Sequence, residues 1–404
     1  MSQVIYFDNA ATSWPKPRQV GEAMSLFLER DAANPGRGGH RMAMAAQKVM
    51  DDARTRIARL LHATAPERVA LMSGATDALN AAIHGVLLSS CERSGATNGA
   101  KPHAVTTVIE HNAVTRPLNE LHRRGWIDLD VVGIDAEGVV SADEVLGATN
   151  ERTALVCVMQ ASNVTGALQP VHEIGTRLRA ERPEALFLVD ASQTAGLLPI
   201  NVRTDPFDLV AFPGHKSLLG PTGTGALYVG ERAYDQELED PGMIGFRQGG
   251  TGGDSGSPYM PAQLPRRFEA GTPNTVGYAG LVAAMDNAPM TPEAMLAHER
   301  AIAGEILDAV RGMGGVTVLG PVDMSRRMGV ATFRVEGMTA REIGTILDGT
   351  FNIATRPGLH CAPGAHKALG TLPDGALRVS PGPYTTPEDV SAFLEAFAQV
   401  AAAV

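Results

Sequence analysis

Reactive side chains follow four apolar segments of the sequence, at the points where strands are expected to end. They are Glu110-His111, Ser162-Asn163, Asp190 to Gln193, and His215-Lys216. Four such groups in succession indicate a shared edge, because parallel strands deliver their carboxyl ends to one side of a sheet. A carboxylate, an imidazole, two amides and a lysine gathered there suit an aromatic, phosphorylated, carbonyl-bearing cofactor. Lysine would form a Schiff base with such a cofactor, and Asp would pair with a pyridine nitrogen.

The lysine lies in the stretch "FPGHKSLLGPTGTG", residues 212–225. Its glycines suggest the phosphate-binding loop of nucleoside triphosphatases, but His215 separates Gly214 from Lys216 and the upstream glycine is missing, so that interpretation fails. An isolated lysine in a turn would ordinarily be a solvated surface residue. The neighbouring segments therefore have to decide between a site residue and a surface residue.

A phosphate site is predicted at Ser73-Gly74-Ala75-Thr76, where a helical pattern begins. The first backbone N–H groups of a helix and the positive end of its dipole attract anions, and the hydroxyls add donors. For Thr76 the alternative is a plain helix cap.

The elements that must position these residues form an α/β pattern. Short apolar runs alternate with helical patterns between about residues 50 and 230, which is typical of a largely parallel sheet. The predicted strand segments are "VTTVIEHNAV", "LDVVGID", "TALVCVMQASN", "ALFLVDASQ", "FDLVAFPGHK" and "TGALYVG". Residues 243–275 are rich in Gly and Pro and lack periodicity, so they are expected to be irregular and to serve a site or an interface. Beyond residue 285 the pattern predicts a smaller α+β domain.

Composition excludes several classes of function. The chain has 404 residues, 44% hydrophobic and 19% charged, with a formal charge of −10, which argues against nucleic-acid binding. No signal peptide or apolar span is present, so we expect a cytoplasmic protein without a membrane partner. The cysteines Cys91, Cys157 and Cys361 are not a disulfide framework. Cys157 is expected to be a buried apolar residue and Cys91 a bystander.

Motifs over nearly the whole chain resemble the class V family of pyridoxal-phosphate enzymes, in its cysteine desulfurase and selenocysteine lyase branch. In the order of the chain they are "YFDNAAT" at 6–12, "GRGGH" at 36–40, "SGATDALN" at 73–80, "EHNA" at 110–113, "ASNVTG" at 161–166, "VDASQTAG" at 189–196, "GHK" with "GPTGTGALYV", "FEAGTPNT" at 268–275, "TRPGLHCAP" at 355–363 and "LRVSPGPYTT" at 377–386.

The resemblance implies the fold of fold type I, the aspartate aminotransferase-like class of pyridoxal-phosphate (PLP) transferases. A large domain with a mostly parallel seven-stranded sheet and a small C-terminal α+β domain are expected. Residues 1–20 would form an N-terminal segment packed on the small domain and active site. Residues 21–285 would form the large domain, and residues 286–404 the small domain with the Cys361 loop.

The resemblance also implies the roles of individual residues around PLP. Lys216 would be the Schiff-base lysine, Asp190 the acid that keeps the pyridine nitrogen protonated, and His111 the ring stacked on the cofactor. The other cofactor contacts implied are Asn163 and Gln193 near the phenolic oxygen, Ala75, Thr76 and His215 at the phosphate, and Thr272 at the phosphate of the second subunit of a homodimer. Pro213 stands where related desulfurases often have a serine, so one phosphate hydrogen bond is expected to be missing or made by water.

Cys361 distinguishes a desulfurase from other enzymes of this family. Pro357, Gly358 and Pro363 punctuate its loop, and Arg356 and His360 are near in sequence. A thiolate there could attack the sulfur of a substrate bound through its amino group, leaving a persulfide and releasing alanine. A metal site with His360, Cys361 and His366 is not expected, because a fourth ligand is missing.

Substrate-binding residues are predicted around Arg378, a charge within the strand-like run "GALRVSPG". Its guanidinium suits the α-carboxylate of a substrate, and the alternative is an internal salt bridge with Asp or Glu. Asn163, Arg356, Ala11 and His40 are further substrate contacts implied by the resemblance, although His40 could simply be exposed.

The function predicted is a PLP-dependent cysteine desulfurase that converts L-cysteine to L-alanine, with a possible sulfur-acceptor protein as partner. Three alternatives remain open: a selenocysteine lyase acting on L-selenocysteine, another class V enzyme such as an aminotransferase or non-sulfur lyase, and a non-catalytic scaffold that retains the cofactor.

Overall fold

A seven-stranded sheet forms the centre of the structure, a computed structural model that describes residues 4–402 apart from 37, 98, 236, 238–241 and 254–255. The strands in chain order are β2 (Val69–Met72), β3 (His103–Thr107), β4 (Asp128–Val132), β5 (Thr153–Met159), β6 (Leu186–Asp190), β7 (Leu209–Pro213) and β8 (Gly225–Val229). Their spatial order is β2-β8-β7-β6-β5-β3-β4. β8 runs antiparallel to both neighbours, and the other pairs are parallel.

Apolar residues cover both faces of this sheet. In β5, Val156 and Val158 contribute to one hydrophobic cluster, whereas Leu155 and Cys157 contribute to the cluster on the other face. This alternation follows from the two-residue period of a strand, and burial of both faces explains the continuous apolar run in the sequence. The polar residues that follow the strands are therefore confined to the edges of the sheet.

Helices cover the sheet and connect its strands. They are α1 (Arg18–Arg30), α2 (Arg41–Leu60), α3 (Ala75–Thr97), α4 (Asn112–Arg123), α5 (Ala142–Gly147), α6 (Val171–Glu181), α7 (Thr275–Asp286), α8 (Pro292–Arg311), α9 (Ala340–Phe351), α10 (Pro363–Ala368) and α11 (Pro387–Ala401). Searched over the described ranges, the structure contains no helix that is both long and apolar enough to cross a membrane.

A second, antiparallel sheet lies in the C-terminal part of the chain. It consists of β9 (Val316–Val318), β10 (Ala331–Val335), β12 (Arg356–Gly358) and β13 (Ala376–Val379), in the spatial order β12-β13-β10-β9. Its hydrophobic cluster draws on α8, α9 and α11 and also includes Phe7. The N-terminal strand β1 (Ile5–Tyr6) pairs in parallel with β11 (Ile353–Ala354), so the start of the chain is tied to the C-terminal part.

The predicted α/β fold with a mostly parallel seven-stranded sheet is confirmed. Each of the six predicted strand segments contains a strand, and no helix or strand is found between Val229 and Thr275 in the described residues. β2, α1 and α2 were not predicted from the sequence. The helical pattern predicted to begin at residues 73–76 is α3, which extends to Thr97. The domain boundaries near residues 20 and 285 remain predictions.

Candidate active site

The carboxyl ends of the parallel strands open into a cavity of about 680 Å³. A volume of this size suits a small organic ligand. Twelve of the predicted site residues line it: Ala11, Ala75, Thr76, His111, Asn163, Asp190, Gln193, His215, Lys216, Arg356, Cys361 and Arg378. The edge predicted from the four polar strand ends is thus one wall of a single cavity.

Asp190 is the last residue of β6, and Lys216 follows the neighbouring strand β7. Lys216 is partly exposed where it lines the cavity, yet burial lowers the pKa of its amine to about 8, against the opposing effect of Asp190. Asp190 is only 3% exposed, and one carboxylate oxygen accepts hydrogen bonds from the backbone and hydroxyl of Ser192. With a pKa of about 8, roughly a tenth of the Lys216 amine is neutral at pH 7, and this fraction can act as a nucleophile.

His111 lies at the start of α4 and lines the cavity. Its Nδ1 accepts a hydrogen bond from the Ala113 N–H at 3.0 Å, so the ring caps the helix. Burial lowers the pKa of His111, with Lys216 adding to the effect and Asp190 opposing it. The ring is therefore a neutral imidazole whose orientation is fixed by the helix that follows it.

An anion-binding end of the cavity is formed where α3 begins. Ser73, Gly74, Ala75 and Thr76 line it, and Gly74 has a φ of +145°, which a residue with a side chain rarely adopts. The first N–H groups of a helix have no partner within the helix and can bind an anion. Pro213, the last residue of β7, also lines the cavity.

Asn163 and His215, which both line the cavity, each have a buried polar atom without a partner among the described residues. The Asn163 Nδ2 donates to the His360 carbonyl oxygen at 2.6 Å, while its Oδ1 is buried and has no hydrogen-bond partner among the described residues. The same holds for Nδ1 of His215, and burial, with Lys216 and Lys16, lowers the pKa of this ring to about 4. Buried polar atoms are usually paired, so both atoms are available to bind a ligand in the cavity.

Two arginines line the opposite side of the cavity. Arg378 on β13 is 2% exposed, and its Nη2 lies 2.7 Å from Oδ1 of Asp8. The other carboxylate oxygen of Asp8 lies 3.7 Å from Nη1 of Arg356. The internal salt bridge that the sequence left open for Arg378 is therefore present, although Nε of Arg378 is buried without a partner in the described chain.

Cys361 is exposed and follows β12 on a short loop. Its Sγ lies 3.9 Å from Nη2 of Arg356, within the range of a weak hydrogen bond to sulfur. Cys157 is fully buried in β5 and burial raises its pKa, whereas Cys91 contacts the Trp126 carbonyl oxygen on the far side of α3. Of the three thiols, Cys361 is the one that lines the cavity.

Two predicted site residues lie away from this cavity. His40 is exposed at the start of α2, where its Nδ1 accepts from the Ala43 N–H. Thr272 lines a second recess of about 790 Å³, which shares Ser73, Gly223 and Arg247 with the first cavity. The two recesses are therefore adjacent at the anion-binding end.

Asp8, Phe246 and Arg247 are among the residues at or beside the cavity to which the sequence assigned no role. Asp8 belongs to the motif "YFDNAAT", but the sequence suggested no role for it. Its charge could have marked it as a partner for Arg356 and Arg378, which it contacts in the structure. Phe246 and Arg247 line the cavity from the irregular segment, where no periodic signal places a side chain. Arg247 lies 3.4 Å from Asp77 in the first turn of α3. No cluster of three or more His, Cys, Asp or Glu suited to a metal ion occurs in the described part of the chain.

Comparison with known proteins gives concordant matches. The profile of the family Aminotransferase class-V matches residues 5–393. A probable cysteine desulfurase of Methanothermobacter thermautotrophicus is 34% identical over 400 residues, which cover 98% of this chain and 94% of that protein. One of Halalkalibacterium halodurans is 33% identical over 392 residues, covering 97% and 91%.

Solved structures agree with the sequence matches. The apo structure of a cysteine desulfurase from Thermococcus onnurineus has a TM-score of 0.88 at 30% identity, covering 99% of this chain and 95% of that chain. The cysteine desulfurase CsdA (S-sulfonic acid) from Escherichia coli has a TM-score of 0.83 at 26% identity, with the same coverage of 99% and 95%.

Proposed function

The chain belongs to the class-V aminotransferase family, with the fold of fold type I PLP enzymes, and we propose that it is a PLP-dependent cysteine desulfurase. The observation that carries this proposal is that an exposed thiol, Cys361, lines the same cavity as the amine of Lys216. Relatives named cysteine desulfurase, about a third identical over nearly the whole chain, support it.

The residues of the cavity fit PLP. Asp190 would pair with the pyridine nitrogen, His111 would cover a face of the ring, and Asn163 and Gln193 would lie near the phenolic oxygen. The unpartnered Asn163 Oδ1 and His215 Nδ1 would gain a ligand, and the start of α3 would hold the phosphate. When bound, PLP supplies an electron sink that labilises bonds at the carbons of an amino-acid substrate.

Lys216 and His111 supply the groups that handle protons. Because the pKa of the Lys216 amine is lowered to about 8, the amine would be available in part as a neutral nucleophile toward the cofactor and could also carry a proton on Nζ. His111, neutral and capping α4 through Nδ1, presents its other ring nitrogen as a possible donor. The desolvated surroundings of both groups keep their proton affinities low enough for exchange near neutral pH.

The two arginines would bind the α-carboxylate of the substrate. Arg378 is held by Asp8 and by the Asn163 carbonyl oxygen, so its guanidinium is oriented before any substrate enters. Arg356 is less buried and also lies beside Cys361. A carboxylate bound by both would bring the substrate sulfur toward the cysteine loop.

Cys361 would accept the sulfur. Its thiolate sulfur forms a bond to the sulfur of L-cysteine, the carbon–sulfur bond of the substrate breaks, and its electron pair with a proton completes the methyl group of L-alanine. The enzyme thiol becomes a persulfide, so L-cysteine plus thiol gives L-alanine plus persulfide with atoms balanced. A sulfur-acceptor protein or a small thiol would then remove the outer sulfur.

A homodimer is part of the proposal, because Thr272 is expected to reach the phosphate of the second subunit. Its recess adjoins the anion-binding end of the cavity, which supports a site completed near this surface. Cytoplasmic location and the lack of a nucleic-acid partner remain predictions from the sequence.

Product analysis tests the function directly. Purified protein with PLP and a thiol reductant is incubated with L-cysteine, and we expect L-alanine in an amount equal to the sum of enzyme persulfide and released sulfide. Release of the keto acid that retains the substrate sulfur would identify an aminotransferase instead. Turnover of L-selenocysteine that survives in a Cys361→Ala variant, with none of L-cysteine by the wild type, would identify a selenocysteine lyase.

A further inference from the structure

The backbone at Cys361 adopts a conformation that L-residues disfavour. His360 and Cys361 have φ values of 49° and 59°, so two consecutive residues other than glycine occupy the left-handed region. Such conformations persist only where surrounding contacts over-determine them, and they concentrate at functional sites. Cys361 is exposed and cannot supply those contacts through its own packing.

Two carbonyl groups of the loop accept hydrogen bonds from the segment after β5 and from the first residue of α4. Asn163 Nδ2 donates to the His360 carbonyl oxygen at 2.6 Å, and the Asn112 N–H donates to the Cys361 carbonyl oxygen at 2.8 Å. These bonds fix where the loop sits relative to β5 and α4. These two hydrogen bonds do not by themselves fix the position of the His360 side chain, which lies behind the loop.

A buried chain of side chains holds His360. Its Nε2 lies 2.9 Å from the Arg356 carbonyl oxygen, which can only accept, so the proton is on Nε2 and Nδ1 must accept. His366 Nε2, 3.3 Å away, supplies that donor, and His366 Nδ1 then accepts from the Thr371 hydroxyl at 2.7 Å. His360, His366 and Thr371 are 4%, 0% and 3% exposed. One arrangement of protons satisfies the whole chain.

Both histidines of this chain are neutral near physiological pH. Burial lowers the pKa of His360 to about 2, with Arg378 adding to the effect, and lowers the pKa of His366 to about 4. An additional proton on either ring would remove an acceptor that the chain needs. The arrangement is thus stable over the range in which an unperturbed histidine titrates.

We propose that the chain from His360 through His366 to Thr371 positions the Cys361 thiol for sulfur transfer. It locks the His360 ring, the strained turn and the Arg356 carbonyl oxygen together, and so fixes Cys361 relative to the Arg356 guanidinium. His366 and Thr371 do not line the cavity and act only through His360, which makes them positioning residues. The expected effect on catalysis rests on the proposed desulfurase function, whereas the expected effect on the conformation of the loop does not.

Thr371→Val and Thr371→Ser form the main test. Valine keeps the shape and removes the hydroxyl, whereas serine keeps the hydroxyl. In the PLP-loaded enzyme we expect Thr371→Val to speed amide hydrogen exchange in peptides covering 356–362 by roughly 3- to 10-fold, the effect of losing one buried hydrogen bond. We expect kcat for alanine release to fall by a similar factor, with KM for L-cysteine and the cofactor absorbance unchanged. Thr371→Ser should match the wild type in all four measurements.

A second pair of variants guards against a Thr371→Val protein that does not fold. Glutamine at position 366 can place its amide donor near the former Nε2 and keep the bond to His360, whereas asparagine is too short. His366→Asn should therefore resemble Thr371→Val, and His366→Gln should retain most of the wild-type kcat.

Unchanged exchange at 356–362 in both Thr371→Val and His366→Asn would overturn the proposal, as would faster exchange with full kcat. If the loop loosens as expected but the wild type makes no alanine, the conformational inference stands and the desulfurase assignment alone fails.

Discussion

Asp8 and Arg378 form an ion pair across the full length of the chain, with 2.7 Å between Oδ1 and Nη2. The arginine side chain is 3% exposed and the carboxylate 18%, so the pair is largely shielded from water. It joins the N-terminal segment to β13, one of the two inner strands of the four-stranded sheet, and it also orients a guanidinium that lines the active-site cavity.

Removing the charge of Asp8 should destabilise the protein. Asp8→Asn leaves a buried guanidinium without its counter-charge, so we expect the free energy of unfolding to fall by about 1.5–3 kcal/mol. Urea titration measures the change. Glu22→Gln, which breaks the exposed pair of Glu22 with Arg18, is the matched control and should cost under about 0.5 kcal/mol. Equal, small losses in both variants would contradict the role of Asp8.

Lys216→Ala should abolish turnover. The purified variant should lack the visible absorbance of lysine-bound cofactor and release no alanine, because no other predicted site residue offers a buried amine. Lys48→Ala, at a lysine 72% exposed on α2, serves as control and should keep both properties. Full activity in Lys216→Ala would show that the lysine has been misassigned.

Cys361→Ser should separate binding from chemistry. The variant keeps Lys216, Asp190 and Arg378, so its cofactor spectrum should still respond to L-cysteine. Alanine release should drop by at least about 100-fold, because a serine hydroxyl is a poor nucleophile toward sulfur. After one turnover of the wild type, mass spectrometry should find the added sulfur on the Cys361 peptide. Cys91→Ser is the control and should behave as the wild type. Wild-type alanine release from Cys361→Ser would disprove the sulfur-acceptor role.

The proposed dimer predicts complementation between inactive subunits. Thr272→Ala should weaken PLP binding in both sites of a dimer, as a titration of cofactor absorbance would show, and Lys216→Ala should silence both sites. Each mixed dimer has one site with Lys216 from one chain and Thr272 from the other, so it should have about half the wild-type rate. An equal mixture after random exchange, in which about half of the dimers are mixed, should therefore recover about a quarter. Sedimentation gives the assembly state. A fully active monomer, or no recovery after verified subunit exchange, would refute the shared site.

Glu110 should make stability depend on pH. It is fully buried, and burial raises the pKa of its carboxyl from 4.5 to about 8, although Met159 and Thr107 donate to Oε1. A raised folded-state pKa means that the folded protein binds the proton more tightly. The contribution of Glu110 protonation to the free energy of unfolding is therefore complete below about pH 4.5. It declines as the pH rises to about 8, by at most about 1.4 kcal/mol per pH unit.

Glu110→Gln is the test of that dependence, because glutamine keeps the shape and the Oε1 acceptor without a titrating proton. As the pH rises from 6 to 8, the urea midpoint of the wild type should decrease relative to the midpoint of the variant. Parallel curves for the two proteins over this range would show that Glu110 is ionised in the fold.

The sequence by itself determined six of the seven strands of the sheet and the reactive residues at their ends. β5 and β6 are apolar runs whose period of two fills both faces of the sheet, so Asn163 had to follow β5, and Asp190 to end β6, at the edge of the sheet. Local patterns suffice for such elements because the signal lies within ten residues of the side chain concerned. Cys361 was likewise identified from its own loop.

Only the tertiary structure decided which distant residues share a contact. Asp8 meets Arg378 across 370 residues of sequence, and Asn163 holds the carbonyl oxygen of His360 across 197. It also showed that His40 caps α2 away from the cavity of its own chain, and that His366 supports the cysteine loop instead of remaining an isolated histidine. Such pairings depend on how the small sheet packs against the large one, which no local period of the sequence encodes.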